Sequence, residues 1–223
     1  MPPHTYSMRE CLNPACGLRY PLIEGHPFGE RCPLCLGPTR AALTQPIHPE
    51  AVAPPNWPEQ RLEALLDNVR SAWNVGSIFR TADGLGIRRL HLCGITPTPH
   101  NKDVRKTALG AEESVDWSHH RNALHAARDL IEQGAALWAL EQDARSVALG
   151  ETHGGAVVET DKRIVLIVGN EVTGVDPALL DLCERIVHIP MYGSKRSLNV
   201  EVAFGIAAWA LLHLSRTTSR DPR

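Results

Sequence analysis

The chain has 223 residues, which is enough for one sizeable hydrophobic core and a small accessory module. Hydrophobic residues make up 43% of the chain and charged residues 22%, which is typical of a globular protein. The net charge of −2 argues against nucleic-acid binding through overall charge, so any such binding would use local basic patches. No apolar run approaches the ~18 residues that span a membrane and no secretion leader is visible, so we expect a cytoplasmic protein without membrane contact.

Four of the six cysteines lie near the start of the chain, which indicates a metal site rather than disulfides in a reducing compartment. Their spacing is C-x4-C, fifteen residues and then C-x2-C, and the predicted ligands are Cys11, Cys16, Cys32 and Cys35. Four thiolates in two pairs suit a structural zinc ion with no open coordination position. His26 is an alternative ligand, and four unrelated buried thiols are the alternative without a metal. We predict a zinc-ribbon-like module over residues 1–43 that its metal stabilises.

A proline-rich segment separates this module from the rest of the chain. Residues 44–60 carry five prolines within Thr44–Pro58 and almost no periodicity, which is typical of a semi-rigid linker. The second domain is predicted over residues 61–215. Its first apolar stretch, LEALL, favours a helix by propensity but is short enough for a buried strand, and the pattern does not decide between them.

Helices and strands then alternate along the second domain. Val75–Leu85 carries apolar residues at helical spacing, with Asn74 as a candidate N-cap and Gly86 as a candidate C-cap. Arg89–Cys93 alternates between apolar and polar residues and predicts a strand. In the polar stretch that follows, a solvated face is the favoured interpretation of three clustered basic residues, namely Lys102, Arg105 and Lys106.

The most apolar part of the chain follows an amphipathic helix at Arg121–Gln133 and a short strand at Ala135–Leu140. There, Ile164–Val168 and Ile186–Ile189 predict two neighbouring buried parallel strands, each ending in a glycine-bearing loop. A helix is predicted between them from Asp176 to about residue 185. Ligands of open parallel sheets collect beyond the carboxyl ends of the strands, so we expect a binding crevice at the two loops.

A long apolar helix is predicted from Asn199 onward. Its small residues would allow close packing, either on the sheet or across a dimer interface. The basic tail, residues 216–223, is predicted to be disordered. The alternation of strands and helices predicts an α/β domain with a mainly parallel sheet flanked by helices.

Three segments of the second domain resemble the SpoU/TrmH branch of the SPOUT methyltransferases. They are NVRSAWNVGSIFRTADGLG, IVGNEVTG and IPMYGSKRSLNVEVAFGIA, and the match in order and spacing covers roughly residues 62–214. The resemblance implies methyl transfer from S-adenosylmethionine to ribose 2'-hydroxyls of tRNA or rRNA. It also implies that Leu62–Asp67 is the first strand, that the C-terminal part forms a trefoil knot, and that the protein is a homodimer joined through the knotted region.

The same resemblance implies which residues form the site. Cofactor contacts would come from the loops at strand ends, mostly through backbone groups, at Gly169, Ile189 and Leu198. The matching catalytic positions are Asn74, Arg80, Glu171, Ser197 and Asn199. Glu201 departs from the family pattern, and it could orient Arg80 or be a harmless residue at the rim.

General chemistry suggests roles for these side chains. An arginine is a poor general base, because neutralising a guanidinium with a pKa near 12.5 costs about 7 kcal/mol at pH 7. We therefore expect Arg80 to bind the phosphate beside the target ribose and to stabilise the developing alkoxide. Ser197 and Asn199 would position the ribose, and Glu171 would brace the loops or a cationic partner.

Two other functions compete with RNA methylation. A non-catalytic RNA- or ribosome-binding protein would keep the fold and the zinc module, but the intact site residues argue against it. A generic nucleotide-binding enzyme is disfavoured because the chain has neither GxGxxG nor a phosphate-binding GKT/S loop. The zinc module either extends the RNA contact surface or only packs on the dimer, and its candidate RNA contacts are Arg9, Arg19, Tyr20, Arg31 and Arg40.

Overall fold

The chain divides into two units, Met1–Trp57 and Pro58–Arg223. The computed structural model describes residues 5–26, 29–47, 62–87, 89–149 and 162–214. Most of the predicted linker over residues 44–60, and the tail over residues 216–223, lie outside the described residues.

The first unit contains a three-stranded antiparallel sheet. Its strands are β1 (Thr5–Cys11), β2 (Arg19–Ile23) and β3 (Thr39–Pro46), in the order β2-β1-β3. Strand β3 continues three residues beyond the predicted end of the module at residue 43. Within the described residues of this unit, the only buried apolar side chains are those of Cys11 and Cys32. The sheet therefore has almost no hydrophobic core of its own, as expected for a module that a metal would stabilise.

The second unit is built on a parallel sheet. Its strands in the described part of the chain are β4 (Leu62–Asp67), β5 (Arg89–Cys93), β6 (Asp116–His120), β7 (Ala136–Leu140), β8 (Val147–Ala148), β9 (Ile164–Val168) and β10 (Arg185–His188). Their order is β6-β5-β4-β9-β7-β10-β8, and each neighbouring pair is parallel. The predicted α/β fold with a mainly parallel sheet is confirmed.

Helices cover both faces of this sheet. They are α1 (Ala72–Leu85), α2 (Lys102–Ala108), α3 (Ala111–Ser114), α4 (Ala123–Glu132), α5 (Pro177–Leu180) and α6 (Val200–Leu214). One core lies under α1, α2, α3 and α6, and a second core lies under α4 and α5. Because both faces are covered, the central strands are buried on both sides.

Strand β4 shows this double burial directly. Leu62, Ala64 and Leu66 belong to the first core, whereas Leu65 between them belongs to the second. Burial on alternate faces requires an extended backbone, since successive side chains of a strand point to opposite sides. The stretch LEALL is therefore a strand, as the family resemblance implied, and not the helix that its propensity favoured.

Two predictions about the sheet and its helices are wrong. Strands β9 and β10 are parallel but not neighbours, because β7 lies between them and pairs with both. Helix α5 ends at Leu180, several residues before the predicted end. Its predicted start is confirmed, since the Asp176 side chain accepts the amide of Ala178 at 2.8 Å and Pro177 is the first helical residue.

The start of α1 also differs from the prediction. Ser71 is the N-cap, and its hydroxyl accepts the amide of Asn74 at 3.3 Å. Asn74 is thus inside the first turn, and its side chain is free to face the loops beside it. Gly86 ends the helix in the left-handed conformation with φ of 72°, as predicted.

The polar stretch before residue 121 contains more regular structure than its sequence indicated. Helices α2 and α3 both form there, with Asn101 as the N-cap of α2. Among the helices of the described ranges, none is long and apolar enough to cross a membrane. The trefoil knot stays a prediction.

Candidate active site

A cavity of about 380 Å³ lies at the carboxyl ends of β7, β9 and β10. These strands are parallel, so the loops that follow them meet at one edge of the sheet. The predicted site residues that line this cavity are Asn74, Gly169, Glu171, Ile189, Ser197, Leu198 and Asn199. The remaining predicted residue, Arg80, does not line it.

Glu171 joins the loop after β9 to the start of α1. Its carboxylate accepts the backbone amide of Arg70 at 2.9 Å and that of Ser71 at 3.0 Å. The side-chain amide of Asn74 donates to the same carboxylate at 3.0 Å. These donors come from a segment about a hundred positions earlier in the chain. A single carboxylate therefore fixes two of the three sequence motifs against each other.

These contacts also set the ionisation of Glu171. Burial by itself raises the pKa of this carboxyl, but the amide hydrogen bonds from Arg70 and Ser71 and the contact with Asn74 outweigh burial and hold the pKa below its usual range. The guanidinium Nε of Arg70 lies 3.7 Å from the carboxylate. A carboxylate that accepts three N–H groups is a weak proton acceptor, so Glu171 is suited to holding the loops rather than to removing a proton.

Asn74 connects this network to the third motif. Its side-chain oxygen accepts the amide of Asn199 at 3.2 Å, while its own amide donates to Glu171. Asn199 in turn accepts the amide of Glu201 at 3.0 Å and so caps α6. The hydrogen-bonded side chains of Glu171, Asn74 and Asn199 line one wall of the cavity, and the two asparagines present amide groups there. Such groups can donate to or accept from a hydroxyl without carrying a charge.

The loop after β9 approaches the cavity through its backbone. A Cβ on Gly169 would clash with the backbone of Gly174 and Val175. Gly174 itself has φ of 73°, where an L side chain is strained, and a Cβ there would meet the Glu141 carboxylate. The bridge between Asn170 and Gly174 closes this tight turn. Both glycines are therefore required by the shape of the loop.

Sequence reasoning missed several residues that line the cavity. Glu141, Gln142 and His188 come directly after or at the ends of β7 and β10. Glu141 accepts the amide of Val175 at 3.0 Å, and His188 Nδ1 lies 2.8 Å from the hydroxyl of Ser146. The sequence signal that could have identified these three residues is their position, since they are polar and lie at the carboxyl ends of predicted parallel strands.

Arg80 lies elsewhere on α1. It is exposed and lies about a turn and a half of helix after Asn74. Among the described residues, no hydrogen bond or ion pair involves its side chain. The carboxylate of Asp83, three residues later on the same helix, accepts the hydroxyl of Ser114 at 2.7 Å. No hydrogen bond or ion pair joins the side chains of Glu201 and Arg80 in the described part of the chain, so nothing there supports an orienting role for Glu201.

The four N-terminal cysteines form a compact cluster. Their sulfur atoms all lie within 4.8 Å of one another, with 3.4 Å between Cys11 and Cys35 and 3.7 Å between Cys16 and Cys32. A tetrahedral site with Zn–S bonds of about 2.3 Å places its sulfurs about 3.8 Å apart. The donor set and its spacing therefore fit a zinc ion. His26 is not part of this cluster.

The backbone around the cluster favours thiolates at selected positions. The amide of Cys35 points at Cys32 and, against the effect of burial, lowers the pKa of the Cys32 thiol to about 7. The amide of Asn13 acts on Cys11 in the same direction, but burial and the neighbouring thiols raise its pKa to about 12. Amides that point at sulfur are the usual surroundings of a bound metal thiolate.

The predicted RNA contacts of the first unit fall into two groups. The side chain of Arg9 is only 8% exposed and binds the side chains of Thr39 and Glu30. Arg9 therefore stabilises the unit and is not available for RNA. Arg40 donates to Glu10 at 2.9 Å, and Arg19 binds the same carboxylate. Tyr20 and Arg31 instead line an apolar cavity of about 510 Å³.

Comparison with known proteins identifies relatives of the second unit. A model of the SpoU rRNA methylase family matches residues 61–209. The 23S rRNA (guanosine-2'-O-)-methyltransferase RlmB of Xanthomonas axonopodis pv. citri is 29% identical over 162 residues, which are 67% of this chain and 62% of that protein. The tRNA (guanosine(18)-2'-O)-methyltransferase of Thermus thermophilus is 31% identical over 147 residues, which are 65% of this chain and 71% of that protein.

Solved structures show the same likeness. The crystal structure of an AdoMet-bound rRNA methyltransferase from Sinorhizobium meliloti matches with a TM-score of 0.61 and 27% identity, covering 67% of this chain and 55% of that one. The chain thus spans less than two thirds of the length of the Xanthomonas and Sinorhizobium proteins. The cysteine cluster lies before residue 61 and outside the family match.

Proposed function

Because the chain belongs to the SpoU methylase family and has the fold of its solved relatives, we propose that it transfers a methyl group from S-adenosylmethionine to a ribose 2'-hydroxyl of tRNA or rRNA. The observation that supports this most directly is the cavity at the carboxyl ends of the strands. There, the positions expected to hold the cofactor adjoin the amide network of Glu171, Asn74 and Asn199.

Gly169, Ile189 and Leu198 are the residues that would hold S-adenosylmethionine, mostly through their backbone groups. All three line the cavity, and the missing side chain of Gly169 lets a ligand approach the main chain closely. When bound, S-adenosylmethionine supplies an electrophilic methyl group. The related Sinorhizobium enzyme was solved with this cofactor bound, which supports the assignment.

The amide wall of the cavity would position the acceptor ribose. Asn74 and Asn199 offer uncharged donors and acceptors beside the space for the cofactor, and Ser197 adds a hydroxyl. Glu171 would keep these groups in place, since its carboxylate is committed to three N–H donors. Rigid placement of the hydroxyl in line with the methyl group is itself a large part of catalysis in such a transfer.

Arg80 would serve the site from a dimer interface. It lies next to Thr81, which lines an apolar cavity of about 580 Å³ together with Ile206 and Trp209 of α6. An apolar surface of this kind suits a second copy of the chain. Pairing through this surface would place Arg80 at the boundary of the two subunits, where it could bind an RNA phosphate and stabilise the developing alkoxide.

We also propose that the four cysteines hold one structural zinc ion. The sulfur spacing and the nearly coreless sheet around it support this assignment. Free thiols and an RNA substrate both fit the reducing cytoplasm. Within this unit, Tyr20 and Arg31 are the predicted RNA contacts whose surroundings suit that role best, since they line a common cavity.

Methyl transfer is tested with labelled S-adenosylmethionine and unmodified transcripts of tRNA and rRNA, followed by mapping of positions that resist alkaline cleavage. We expect label in a small number of alkali-resistant positions. Cofactor binding without transfer to any RNA would refute the enzyme function and favour the non-catalytic RNA- or ribosome-binding protein.

Replacing Arg80 with alanine tests the role of that guanidinium. We expect Arg80→Ala to lower kcat about a hundredfold or more, because a charge that stabilises the transition state is lost. Cofactor affinity measured by calorimetry should stay near the wild-type value, since Arg80 does not line the cavity. Arg128→Ala, an exposed position on α4, is the control and should change neither quantity. An equal loss of cofactor binding would show that the assignment of Arg80 is wrong.

A further inference from the structure

Trp73 is an exposed aromatic residue beside the candidate active site. It is 56% exposed, although large aromatic side chains are usually buried for most of their surface. It lies in the first turn of α1, directly before Asn74. The sequence pattern gave it no role, and it does not line the cavity. The exposed ring is available for contact with a ligand that approaches the cavity.

The backbone around Trp73 is held in place from both sides. The amide of Ser71 donates to Glu171 at 3.0 Å, and the side chain of Asn74 donates to the same carboxylate at 3.0 Å. Trp73 lies between these two anchors. Its ring is therefore carried by a fixed turn whose next residue, Asn74, lines the cavity. A fixed backbone limits the entropy lost when a ligand stacks on the ring.

A cation lies over the ring. Lys106 Nζ is 5.4 Å from the centroid of the Trp73 ring, within the range of a cation–π contact. Lys106 is carried by α2, which packs closely on α1 at Gly76, where a Cβ would clash with Thr107 and the carbonyl of Val104. The close packing of the two helices fixes the backbone positions from which the indole ring and the ammonium group extend.

The chemistry of this pair matches a nucleotide. An aromatic ring can stack on any nucleobase, and an ammonium group beside it can bind the attached phosphate. Arg70, next to the same turn, adds a second exposed cation. A chain with a net charge of −2 needs such a local basic patch to bind RNA. The basic surroundings disfavour a purely apolar protein partner.

We propose that Trp73 and Lys106 form a stacking platform for one nucleobase of single-stranded RNA at the mouth of the cavity. This inference rests on the proposed function, and it assigns Trp73 and Lys106 as positioning residues for the nucleotide whose ribose enters the cavity or for its immediate neighbour. Recognition of an unpaired base by stacking is the usual way in which proteins hold single-stranded RNA. The platform explains why an exposed tryptophan is fixed at this point of the fold.

The first test is steady-state kinetics of Trp73→Ala and Lys106→Ala. For Trp73→Ala we expect the KM for RNA to rise about tenfold, with smaller changes of kcat at saturating RNA and of the cofactor Kd. Trp73→Phe should recover most of the loss, since a phenyl ring still stacks. Arg128→Ala on the opposite face of the sheet is the charge-matched control for Lys106→Ala. A wild-type KM for Trp73→Ala would overturn the platform.

The second test does not depend on catalysis. Binding of a single-stranded RNA of roughly 12 nucleotides is measured by anisotropy, for the intact oligonucleotide and for versions that each lack one base. Removal of the base that stacks on Trp73 should weaken binding to the wild type as much as Trp73→Ala weakens binding to intact RNA. The two losses should not add when combined. Fully additive losses at every position would overturn the platform.

The two tests separate this inference from the proposed function. If the wild type transfers no methyl group but the abasic oligonucleotides and Trp73→Ala show the coupled loss, methyl transfer is wrong and the platform stands. If transfer occurs and neither KM nor binding depends on Trp73, the platform is wrong and the enzyme function stands.

Discussion

Glu171 is the residue on which the geometry of the candidate site depends most. Its carboxylate holds the loop after β4, the first turn of α1 and, through Asn74, the start of α6. Charge-assisted hydrogen bonds of this kind are stronger than neutral ones. The network needs the ionised form, because a protonated carboxyl would present a donor to groups that are themselves donors.

Replacing Glu171 with glutamine should destabilise the protein in a pH-dependent way. The pKa of Glu171 is lowered in the folded state, so its contribution to stability is present above the unfolded-state pKa and is lost as pH falls through the folded-state value. We expect Glu171→Gln to reduce the free energy of unfolding by about 1 kcal/mol at pH 7. The difference from the wild type should shrink below about pH 4.

Urea denaturation at several pH values measures this effect. Glu113→Gln, at an exposed position of α3 for which no side-chain contact is described, is the matched control and should change stability little at any pH. A loss for Glu171→Gln that persists unchanged at low pH would mean that the carboxylate charge does not hold the network.

The position of Asn74 shows what sequence could and could not predict at this scale. A polar residue before an apolar helical pattern indicates an N-cap, and the pattern alone cannot tell an N-cap from a first-turn residue that faces a neighbouring loop. Ser71 takes the capping role three residues earlier. The family motif placed Asn74 with Glu171 and Asn199, and the three do lie in contact. Trp73 lies in the first of the three family segments, directly before Asn74, but neither the resemblance nor the apolar pattern assigned it a role.

At the scale of elements, the N-terminal sheet depends on its cysteines. Side chains of β2 alternate between exposed and half-buried, and most of those on β3 are exposed. The described residues of the unit bury no apolar side chain larger than cysteine. Such a sheet lacks the hydrophobic burial that offsets the loss of chain entropy on folding.

Removal of the metal should therefore unfold this sheet. We expect about one zinc per chain in protein purified without chelators, and loss of the β1–β3 structure, seen as rapid proteolysis before residue 47, when zinc is chelated. Cys35→Ser should release the metal, whereas Cys183→Ser, outside the cluster, should retain it. Protein that contains no zinc and yet resists proteolysis in this region would contradict the assignment.

Elements of the second unit were predicted more successfully than their arrangement. The apolar runs at β9 and β10 identified two strands because burial on both faces leaves a continuous apolar signature. Their separation by β7 is decided by the path of the connections, which hydrophobicity does not encode. Helices α2 and α3 were missed because they are short, with seven and four residues, and neither is long enough to show a repeated apolar face.

At the scale of the whole molecule, α6 presents an apolar surface. Val202, Ile206 and Trp209 are 42%, 43% and 54% exposed, and their spacing places them on one side of the helix. Ile206 and Trp209 also line the apolar cavity beside Thr81. An exposed apolar surface of this kind marks an interaction site, and the proposed homodimer would cover it.

Ile206→Glu should convert the proposed dimer into monomers, because a carboxylate buried at an apolar interface is costly. Sedimentation of the wild type is expected to give twice the mass of the chain, and that of the variant a single mass. Ile131→Glu, at a position on α4 that is 40% exposed, is the control and should remain dimeric. If Arg80 works at the interface, Ile206→Glu should also lose methyl transfer. A wild type that sediments as a monomer would refute the dimer.

The sequence pattern predicted the fold class but not most of the topology. Alternating apolar strands and helices predicted the parallel α/β class, and the family motifs placed the site at the strand ends. Strand order depends on which distant segments pair, so it became visible only in the structure. The trefoil knot rests on family resemblance alone, since a knot leaves no signature in periodicity.

The central position of β9 has a consequence for how the protein is made. Strand β9 pairs with β4 on one side and β7 on the other, although both of them precede it in the chain. Before residue 164 is synthesised, β4, β5 and β6 can pair with one another, but β7 lacks both of its neighbours in the sheet, β9 and β10. One edge of β4 and both edges of β7 are therefore open at that stage. The domain is thus completed late and from its middle, and synthesis passes through a stage at which the edges of β4 and β7 need protection from other chains.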